Sequence, residues 1–394
     1  MGIRLGALSP PASQPSELQE LLLTAALFSG AAAGDAWETW KCKISLDDIV
    51  YGSFRLLPLL YKNLRANGIE DGLMPRLKGI YRYSWVRNRR SLAVLAEVVE
   101  KLRSSGISAA LLKGGALIAT AYRDHGARYM DDVDFFVPFD QAPRAISLLQ
   151  EWGWWSTYPI PRLFRPYVNA LNLDHACGIG IDLHWHLLTQ RCNPQDDASY
   201  WQSMRPIEFG DRSVLVLDPA DQFLHTCVNA AYWSGFANPS WVADAFWQVK
   251  ALGDQIDWDR LLNTAAKLQL SLPLFVTLSY LRKKFLPEIP ARLLEGLGGL
   301  PRDKREFREY RSSSKARPWL SELAPLWQRF HRHEVSRHWL KPWAFLKFLQ
   351  DYCGLNHLWE LPGDLAKRFL PRAKKNLAKR AHDHKKIKEA ASTA

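Results

Sequence analysis

The chain has 394 residues, with 52 lysines and arginines against 40 aspartates and glutamates, so its formal net charge at pH 7 is +12. Hydrophobic residues make up 47% and charged residues 23%, which is the composition of a globular protein and excludes a mainly disordered or collagen-like chain. A surplus of positive charge indicates an anionic substrate, a nucleic acid or a membrane surface as a partner.

The cysteines and the N-terminal residues predict a cytoplasmic protein. No two of the five cysteines form a CxxC pair, and their odd number disfavours a disulfide framework or a cysteine-based zinc site. The first residues lack the apolar core of a signal peptide. Residues 21–33 are the most apolar stretch near the N-terminus, but they are too few to span a bilayer, so they predict one buried helix.

The predicted elements divide the chain into helices, a module that contains strands, and further helices. Apolar residues recur at helical spacing over 17–104, with Pro58 at a kink or a helix start, and Ser104 to Gly106 end this region. In chain order, the later predictions are a strand at 107–112, a helix at 116–122, a strand at 129–137, a helix at 142–152, a hairpin with loops at 154–178, a strand at 178–186, helices over 219–300, a charged loop at 301–317 and helices over 320–352.

Five regions follow from this division. They are an N-terminal helical region at 1–105, a core at 106–215, a helical domain at 216–300, a C-terminal helical extension at 301–364 and a basic tail at 365–394. The core holds nearly all the residues that indicate chemistry.

Three aspartates of the core form a candidate metal site. Asp132 and Asp134 are two residues apart on a predicted strand, so their side chains are expected on one face. Asp182 alternates with apolar neighbours on a later strand and could face the same edge. Carboxylates held this close repel unless a cation neutralises them, and Mg²⁺ is the common cation beside phosphates. Three carboxylates from two strands can hold two metal ions for phosphoryl or nucleotidyl transfer.

A glycine turn between a strand and a helix is the candidate phosphate site. Gly114 and Gly115 permit close approach of a ligand to the backbone, and the N–H groups of the next helix favour an anion. Lys113 and Arg128 could add cationic contacts to a triphosphate or to departing pyrophosphate.

These motifs together resemble the bacterial group of uncharacterised nucleotidyltransferase family proteins, which is similar to the polymerase-β superfamily. The resemblance covers roughly residues 50–285, and its main motifs are the segments 112–117, 132–134 and 181–185, with Tyr122 and Arg128. It implies an α+β fold, in which a polymerase-β-like core with a small mixed sheet and flanking helices is embedded in a mainly helical protein.

The resemblance also implies site residues, cofactors and an activity. Phosphate would bind at Lys113, Gly114 and Gly115, and Mg²⁺, or Mn²⁺, at Asp132, Asp134 and Asp182. An acceptor hydroxyl, on a sugar, a metabolite or a protein or peptide, would attack the α-phosphorus of a nucleoside triphosphate, with ATP the default. Many superfamily members have Gly-Ser in the turn where this chain has Gly-Gly-Ala, so backbone N–H groups alone would bind the phosphates.

Two alternatives from other functional classes remain open. Asp182, His184 and His186 would share one face of a regular strand, and such a face could bind zinc in a metallohydrolase. His184 and Trp185 could instead line the nucleotide or acceptor pocket or simply pack. The module could also be an inactive relative that only binds nucleotide or a partner protein.

Two features outside the core complete the sequence predictions. Asp244, between Trp241 and Trp247 on a predicted helix, either reaches the site from the helical domain or serves as a buried hydrogen-bond partner. Residues 365–394 carry ten positive and two negative charges, which account for most of the surplus. Such a tail is a flexible solubilising segment, or it contacts an anionic membrane surface or a nucleic acid.

Overall fold

The computed structural model describes residues 13–156, 168–210, 212–232, 238–302, 304–314, 326–327, 330 and 341–367. Most of the predicted basic tail lies outside these residues. Among the described helices, none combines the length and the apolar character that crossing a membrane requires.

Helices make up both ends of the described chain. The helices before the sheet are α1 (Glu17–Leu27), α2 (Ala31–Lys43), α3 (Tyr51–Phe54), α4 (Leu57–Ala66) and α5 (Met74–Ser104). Those within the sheet region are α6 (Lys113–Leu117), a π-helix (Ile118–Tyr122), α7 (Ala142–Glu151) and α8 (Pro194–Ser203). Those after it are α9 (Pro219–Tyr232), α10 (Ser240–Leu252), α11 (Trp258–Lys267), α12 (Ser271–Lys284), α13 (Ala291–Gly299), α14 (Lys304–Ser314) and α15 (Lys341–Cys353). Short 3-10 turns lie at Leu46–Asp48, Gly253–Gln255 and Leu358–Glu360.

Among the described residues, seven strands form one mixed sheet, as the predicted α+β class requires. They are β1 (Ala110–Leu111), β2 (Val133–Phe136), β3 (Trp154–Trp155), β4 (Ala170–His175), β5 (Gly180–His184), β6 (Arg205–Phe209) and β7 (Arg212–Val216). Their order across the sheet is β3-β4-β5-β2-β1-β7-β6. β2 pairs with β5, and β1 with β7, in parallel, whereas the other neighbouring pairs are antiparallel.

The two faces of the sheet pack against different cores because side chains alternate along each strand. Val133 and Phe135 of β2 join a core with Leu92 and Leu95 of α5. Phe136 points the other way, into the large core of the helical body, and stacks on Trp201 at 4.8 Å between ring centroids. The face that carries Asp134 therefore looks towards the helical body.

Two predictions near the ends of the chain, one of a helix and one of a loop, are wrong in detail. The single helix expected over 21–33 is two helices, because the chain turns at Gly30 (φ 65°), where a left-handed backbone suits glycine. The loop expected over 301–317 is replaced by α14 over much of its length. α14 is held by Glu306, which is buried and accepts hydrogen bonds from the Ser271 hydroxyl (3.1 Å) and the Leu272 N–H (2.6 Å) at the start of α12. This charged sequence thus forms a helix because one of its carboxylates caps a neighbouring helix.

Two other helix boundaries agree with the sequence pattern, whereas much of the helical region predicted over 320–352 lies outside the described residues. α4 begins with Pro58 in its first turn, where a missing N–H costs no hydrogen bond. α5 ends at Ser104, and Gly106 follows with φ 74°. The β6–β7 hairpin was not predicted from the sequence.

Candidate active site

The site begins where β1 ends and the chain turns into α6. The Leu112 N–H donates to the Asp134 carbonyl (3.0 Å), which fixes the end of β1 beside β2. Lys113 then takes a left-handed backbone (φ 41°), which is uncommon for a residue other than glycine. The glycines follow inside the first turn of α6, whereas the sequence pattern placed them in a loop before the helix. This backbone starts α6 with only Leu112 between the helix and β1.

Two aspartates from neighbouring strands meet side by side. β2 and β5 run in parallel, and their register pairs Asp134 directly with Asp182. Residues that pair in this way present their side chains to the same face of a sheet. His184, two residues after Asp182, lies on that face too, and all three side chains are at least largely enclosed by the protein.

The Lys113 ammonium lies among these three side chains. Its Nζ donates to Asp134 Oδ1, and it is 3.6 Å from Asp182 Oδ2 and 3.2 Å from His184 Nε2. His184 Nε2 is in turn 3.1 Å from both Asp134 Oδ1 and Asp182 Oδ2. We call Lys113, Asp134, Asp182 and His184 the carboxylate centre.

The electrostatics of the carboxylate centre follow from these contacts. Burial alone would raise the pKa of Asp134, but Lys113 and His184 outweigh it and hold that pKa well below its usual range. Burial also opposes the charge on Lys113, yet the two carboxylates raise the pKa of its ammonium. For His184, burial and Lys113 act downward, and the hydrogen-bonded carboxylates nevertheless raise its pKa. The centre therefore favours cations strongly.

The donor atoms of the carboxylate centre suit a divalent cation. One ligand atom from each of Asp134, Asp182 and His184 can be chosen so that all lie within 4.8 Å of one another. In addition, Asp182 Oδ1 is buried and has no hydrogen-bond partner among the described residues. Two carboxylate oxygens fit Mg²⁺ or Mn²⁺, and an imidazole nitrogen favours Mn²⁺ or zinc over Mg²⁺.

Asp132 lies just before β2, not on the strand as the pattern predicted. The residue is exposed, in contrast to Asp134. Limited solvation of its carboxyl group and the negative charge of Asp134 raise the pKa of Asp132 to about 6. Asp132 therefore stands at the outer side of the carboxylate centre, close enough to feel its charge.

The neighbouring Asp131 belongs to a different set of contacts. Its carboxylate accepts hydrogen bonds from the Tyr51 hydroxyl and from Arg55 Nη1 (2.8 Å). Arg87 of α5 donates to the Met130 and Asp131 carbonyls at 3.0 and 2.7 Å. These bonds hold the segment that leads into Asp132.

Gly114 is required by close packing at the start of α6. A Cβ at this position would lie 2.5 Å from Met130 Sδ and even closer to the Arg128 guanidinium. Gly115 has ordinary spacing, with Leu92 Cδ2 at 3.5 Å from an added Cβ. Of the two glycines, Gly114 is thus the one whose missing side chain lets Arg128 approach the turn.

Arg128 is engaged by Asp244 of α10. Its Nε and Nη2 each donate to one carboxylate oxygen of Asp244 at 2.8 Å, and the Tyr122 hydroxyl donates to Asp244 Oδ1 at 2.8 Å. Asp244 outweighs burial and raises the pKa of Arg128, while burial and Asp244 raise the pKa of the Tyr122 hydroxyl well above its usual value. We call Tyr122, Arg128 and Asp244 the matched triad. These contacts favour a buried hydrogen-bond partner over a site residue as the role of Asp244.

The residues after Asp182 do not share one face throughout. His186 lies beyond the end of β5, where the alternation stops, and its Nδ1 bonds to Asp197 Oδ2 at 2.5 Å while its ring stacks on Phe139. The expected Asp182/His184/His186 zinc face is therefore not formed. Trp185 is fully buried in the core on the opposite face of the sheet. Only His184 joins the site.

Sequence reasoning missed two residues near the carboxylate centre. Asn169, just before β4, has its Nδ2 3.3 Å from His184 Nδ1, which orients the ring with Nε2 towards the carboxylates. His225 of α9 is buried, and burial together with the positive charge of Lys113 lowers its pKa to about 3. A lone asparagine and a histidine on an apolar helix carry no local pattern, so only the fold reveals them.

A mixed sheet with two paired aspartates beside a strand–helix turn is the site expected of a nucleotidyl-transferring protein. The model of a family described as "Uncharacterised nucleotidyltransferase" matches residues 53–285, more than half of the chain. The chain belongs to this family, which confirms the resemblance found in the sequence.

Two further comparisons concern solved structures and curated proteins. The chain is similar to a crystal structure of an antigenic nucleotidyltransferase-like protein from Paracoccidioides brasiliensis, with 17% identity, a TM-score of 0.36, and coverage of 56% of this chain and 97% of that chain. Among curated proteins there is no significant match.

Proposed function

We propose that the protein is a nucleotidyltransferase that depends on Mg²⁺ or Mn²⁺ and transfers a nucleoside monophosphate from a nucleoside triphosphate to an acceptor hydroxyl. The observation that carries the proposal is the direct pairing of Asp134 with Asp182 beside Lys113. Family membership supports nucleotidyl transfer in general. ATP as the donor and the cytoplasm as the location are part of the same proposal.

Asp132, Asp134 and Asp182 are the residues that would hold the cation. When bound there, a divalent cation supplies charge neutralisation and lowers the pKa of a hydroxyl. The N–H groups at the start of α6 bind the phosphates, and Gly114 lets the Arg128 guanidinium approach this turn. Lys113 lies in the turn and contacts both carboxylates, so it stabilises the departing pyrophosphate.

The bond changes balance as follows. The acceptor oxygen forms a bond to the α-phosphorus, the bond from that phosphorus to the bridging oxygen breaks, and pyrophosphate leaves with the electron pair. The hydroxyl proton passes to Asp182 Oδ1, an oxygen without a hydrogen-bond partner among the described residues. Arg128 adds positive charge beside the phosphates at the turn. The matched triad holds its guanidinium against Gly114.

The experiment measures nucleotide binding before transfer. Thermal unfolding of the purified chain is followed with each of the four nucleoside triphosphates, with and without Mg²⁺ or Mn²⁺. We expect one nucleotide to raise the melting temperature only with metal, and Asp182→Asn to abolish this effect. Asp140→Asn, an exposed aspartate a few residues after β2, is the matched control and should behave like the wild type.

Pyrophosphate release with a panel of hydroxyl acceptors then tests transfer itself. Release that persists undiminished in Asp182→Asn would contradict the proposal.

An inactive binding module is the second candidate, because the Lys113 ammonium already lies among the three metal-ligating side chains. An internal cation at this place can neutralise the carboxylates without metal. In that case nucleotide binding would be the same with and without metal, and no acceptor would support pyrophosphate release.

A further inference from the structure

The first half of α5 has an unusual charge. Between Met74 and Ala96 it contains six lysines and arginines and no aspartate or glutamate, in a chain with 40 acidic residues. Three of the six make polar contacts: Arg76 with Asp47, Arg87 with two carbonyls, and Arg90 with the Cys177 carbonyl. The other three are Lys78, Arg82 and Arg89.

These three cations share a row with an exposed tryptophan. Lys78, Arg82, Trp85 and Arg89 follow one another at helical spacings of four, three and four, so they lie along one side of α5. All four are exposed, and no ion pair to a carboxylate is found for the three cations among the described residues. Arg89 lies over the Trp85 ring at 5.7 Å. We call this row the α5 basic face, and it extends for about 16 Å at the rise of an α-helix.

Large apolar side chains accompany the α5 basic face. Trp85 is 43%, Tyr83 55% and Val86 60% exposed. Exposure of three such side chains within four residues is unfavourable in water and indicates a partner that covers some of them. An exposed aromatic ring within a row of unpaired cations suits a single-stranded nucleic acid, in which a base stacks on the ring while the phosphates meet the cations.

α5 also determines the position of the segment that enters the site. Asn88 Nδ2 donates to the His125 and Arg128 carbonyls at 2.6 Å each, and Arg87 donates to those of Met130 and Asp131. The same helix thus presents the α5 basic face to solvent and fixes the chain immediately before Asp132. The α5 basic face lies on another side of the helix from Arg87, so a strand bound on it would reach the carboxylate centre by passing around α5.

We propose that the α5 basic face binds a single-stranded nucleic acid and that the acceptor is a hydroxyl at the end of this strand. The inference rests on the proposed function for the transfer step, in which the strand hydroxyl forms the new bond to phosphorus and pyrophosphate leaves. A membrane surface fits less well, because an interfacial helix needs a separate apolar face, whereas here Trp85 lies within the row of cations.

Strand binding is measured with the full chain and a fluorescently labelled single-stranded RNA oligonucleotide of mixed sequence. Anisotropy is followed over a range of salt concentrations for the wild type and for the triple variant Lys78→Glu, Arg82→Glu and Arg89→Glu. We expect at least tenfold weaker binding by the variant. Its plot of log affinity against log salt should flatten by about 2, because each strand phosphate contact contributes roughly 0.7.

The matched control is a second triple variant with the same change of charge, Lys267→Glu, Lys283→Glu and Arg292→Glu, at exposed cations of the helical body. It retains the α5 basic face and should bind within about twofold of the wild type. Trp85→Ala should weaken binding about fivefold or more, because it removes the ring on which one base stacks, and Trp85→Phe should restore part of it. Unfolding midpoints check that every variant is folded.

Two results would overturn the inference. One is equal weakening by both triple variants, which would mean a general charge effect. The other is strand binding that the α5 variant leaves unchanged while its binding to phosphatidylserine vesicles is lost, which would assign the face to a membrane.

Failure of the proposed function gives a different result. Strand binding that depends on the α5 basic face, without lengthening of the oligonucleotide by any nucleoside triphosphate and metal, would contradict transfer but not the binding surface. Pyrophosphate release with another acceptor, without strand binding, would contradict this inference alone.

Discussion

Two groups of polar and charged side chains lie beside the helical segment 113–122, and they balance their charges differently. In the carboxylate centre, Asp134 and Asp182 share the Lys113 ammonium with His184, and Asp182 Oδ1 has no hydrogen-bond partner in the described part of the chain. In the matched triad, each oxygen of Asp244 accepts from Arg128, and Tyr122 adds one further bond.

The difference separates a structural ion pair from a binding site. Burial of charge is costly, and the geometry of the matched triad offsets that cost with two charge-assisted hydrogen bonds. The carboxylate centre instead retains an unused acceptor oxygen and two acids beside one another. A bound ligand can use the acceptor oxygen and neutralise the neighbouring acids. We therefore assign the chemistry to the carboxylate centre and not to the matched triad.

The largest expected effect comes from breaking the matched triad. Asp244→Ala should lower the free energy of unfolding by about 3–5 kcal/mol, because it leaves the buried Arg128 without its counterion. Urea denaturation measures this change in the free energy of unfolding. Asp47→Ala is the control, since its partner Arg76 lies on the surface, and it should leave the midpoint nearly unchanged. Equal effects of the two changes would show that the triad contributes no special stability.

The second prediction concerns Asp132, at the outer side of the carboxylate centre. Asp132→Asn should reduce transfer a hundredfold to a thousandfold, the scale known for loss of one electrostatic contact in an active site. It should also raise the melting temperature of the metal-free protein at pH 7. Calorimetry and pyrophosphate release measure the two effects.

The sign of the stability change follows from the pKa of Asp132, about 6 in the folded chain and about 3.9 in an unfolded one. Between these values the folded state binds more protons, so stability falls as the pH rises through 6, and asparagine removes that cost. The gain should vanish near pH 4. A variant that loses activity and stability together would place Asp132 among the structural residues.

The third prediction uses two glycines. Gly114→Ala should lower the free energy of unfolding by about 1–3 kcal/mol, the usual cost of overpacking, because its Cβ would meet Met130 and Arg128. Gly79→Ala, on α5 with nothing within 4 Å of an added Cβ, should instead stabilise the chain by about 0.5–1 kcal/mol. Chemical denaturation measures the free energy of unfolding of both variants. A Gly114→Ala variant of unchanged stability would show that the matched triad can move away from the turn.

Local patterns predicted the carboxylate centre better than they predicted its surroundings. Alternation around Asp182 and the spacing of Asp132 and Asp134 indicated one face of a sheet, and the register of β2 and β5 confirmed it for Asp134 and Asp182. Alternation could not show where β5 ends, and so His186 was placed on that face wrongly. The pairing of Arg128 with Asp244, 116 residues away, depends on how α10 packs, which no short pattern records.

The smallest expected effect is a pH dependence at His225, which tests how far the charge of the carboxylate centre reaches. Burial and the Lys113 ammonium lower the pKa of His225 to about 3, below the value of about 6.5 in an unfolded chain. Between these values the unfolded state binds more protons, so stability falls as the pH drops below 6.5. His225 should account for about 1–2 kcal/mol of lost stability between pH 7 and pH 5.

Urea denaturation across this range compares the wild type with His225→Gln, whose side chain can still meet Asn229, now 2.8 Å from the histidine ring. The difference between the two chains should be constant from pH 7 to 8 and shrink below pH 6, as only the wild type loses this stability. Parallel curves down to pH 5 would mean that His225 takes up a proton without cost, and that α9 leaves the carboxylate centre open to water.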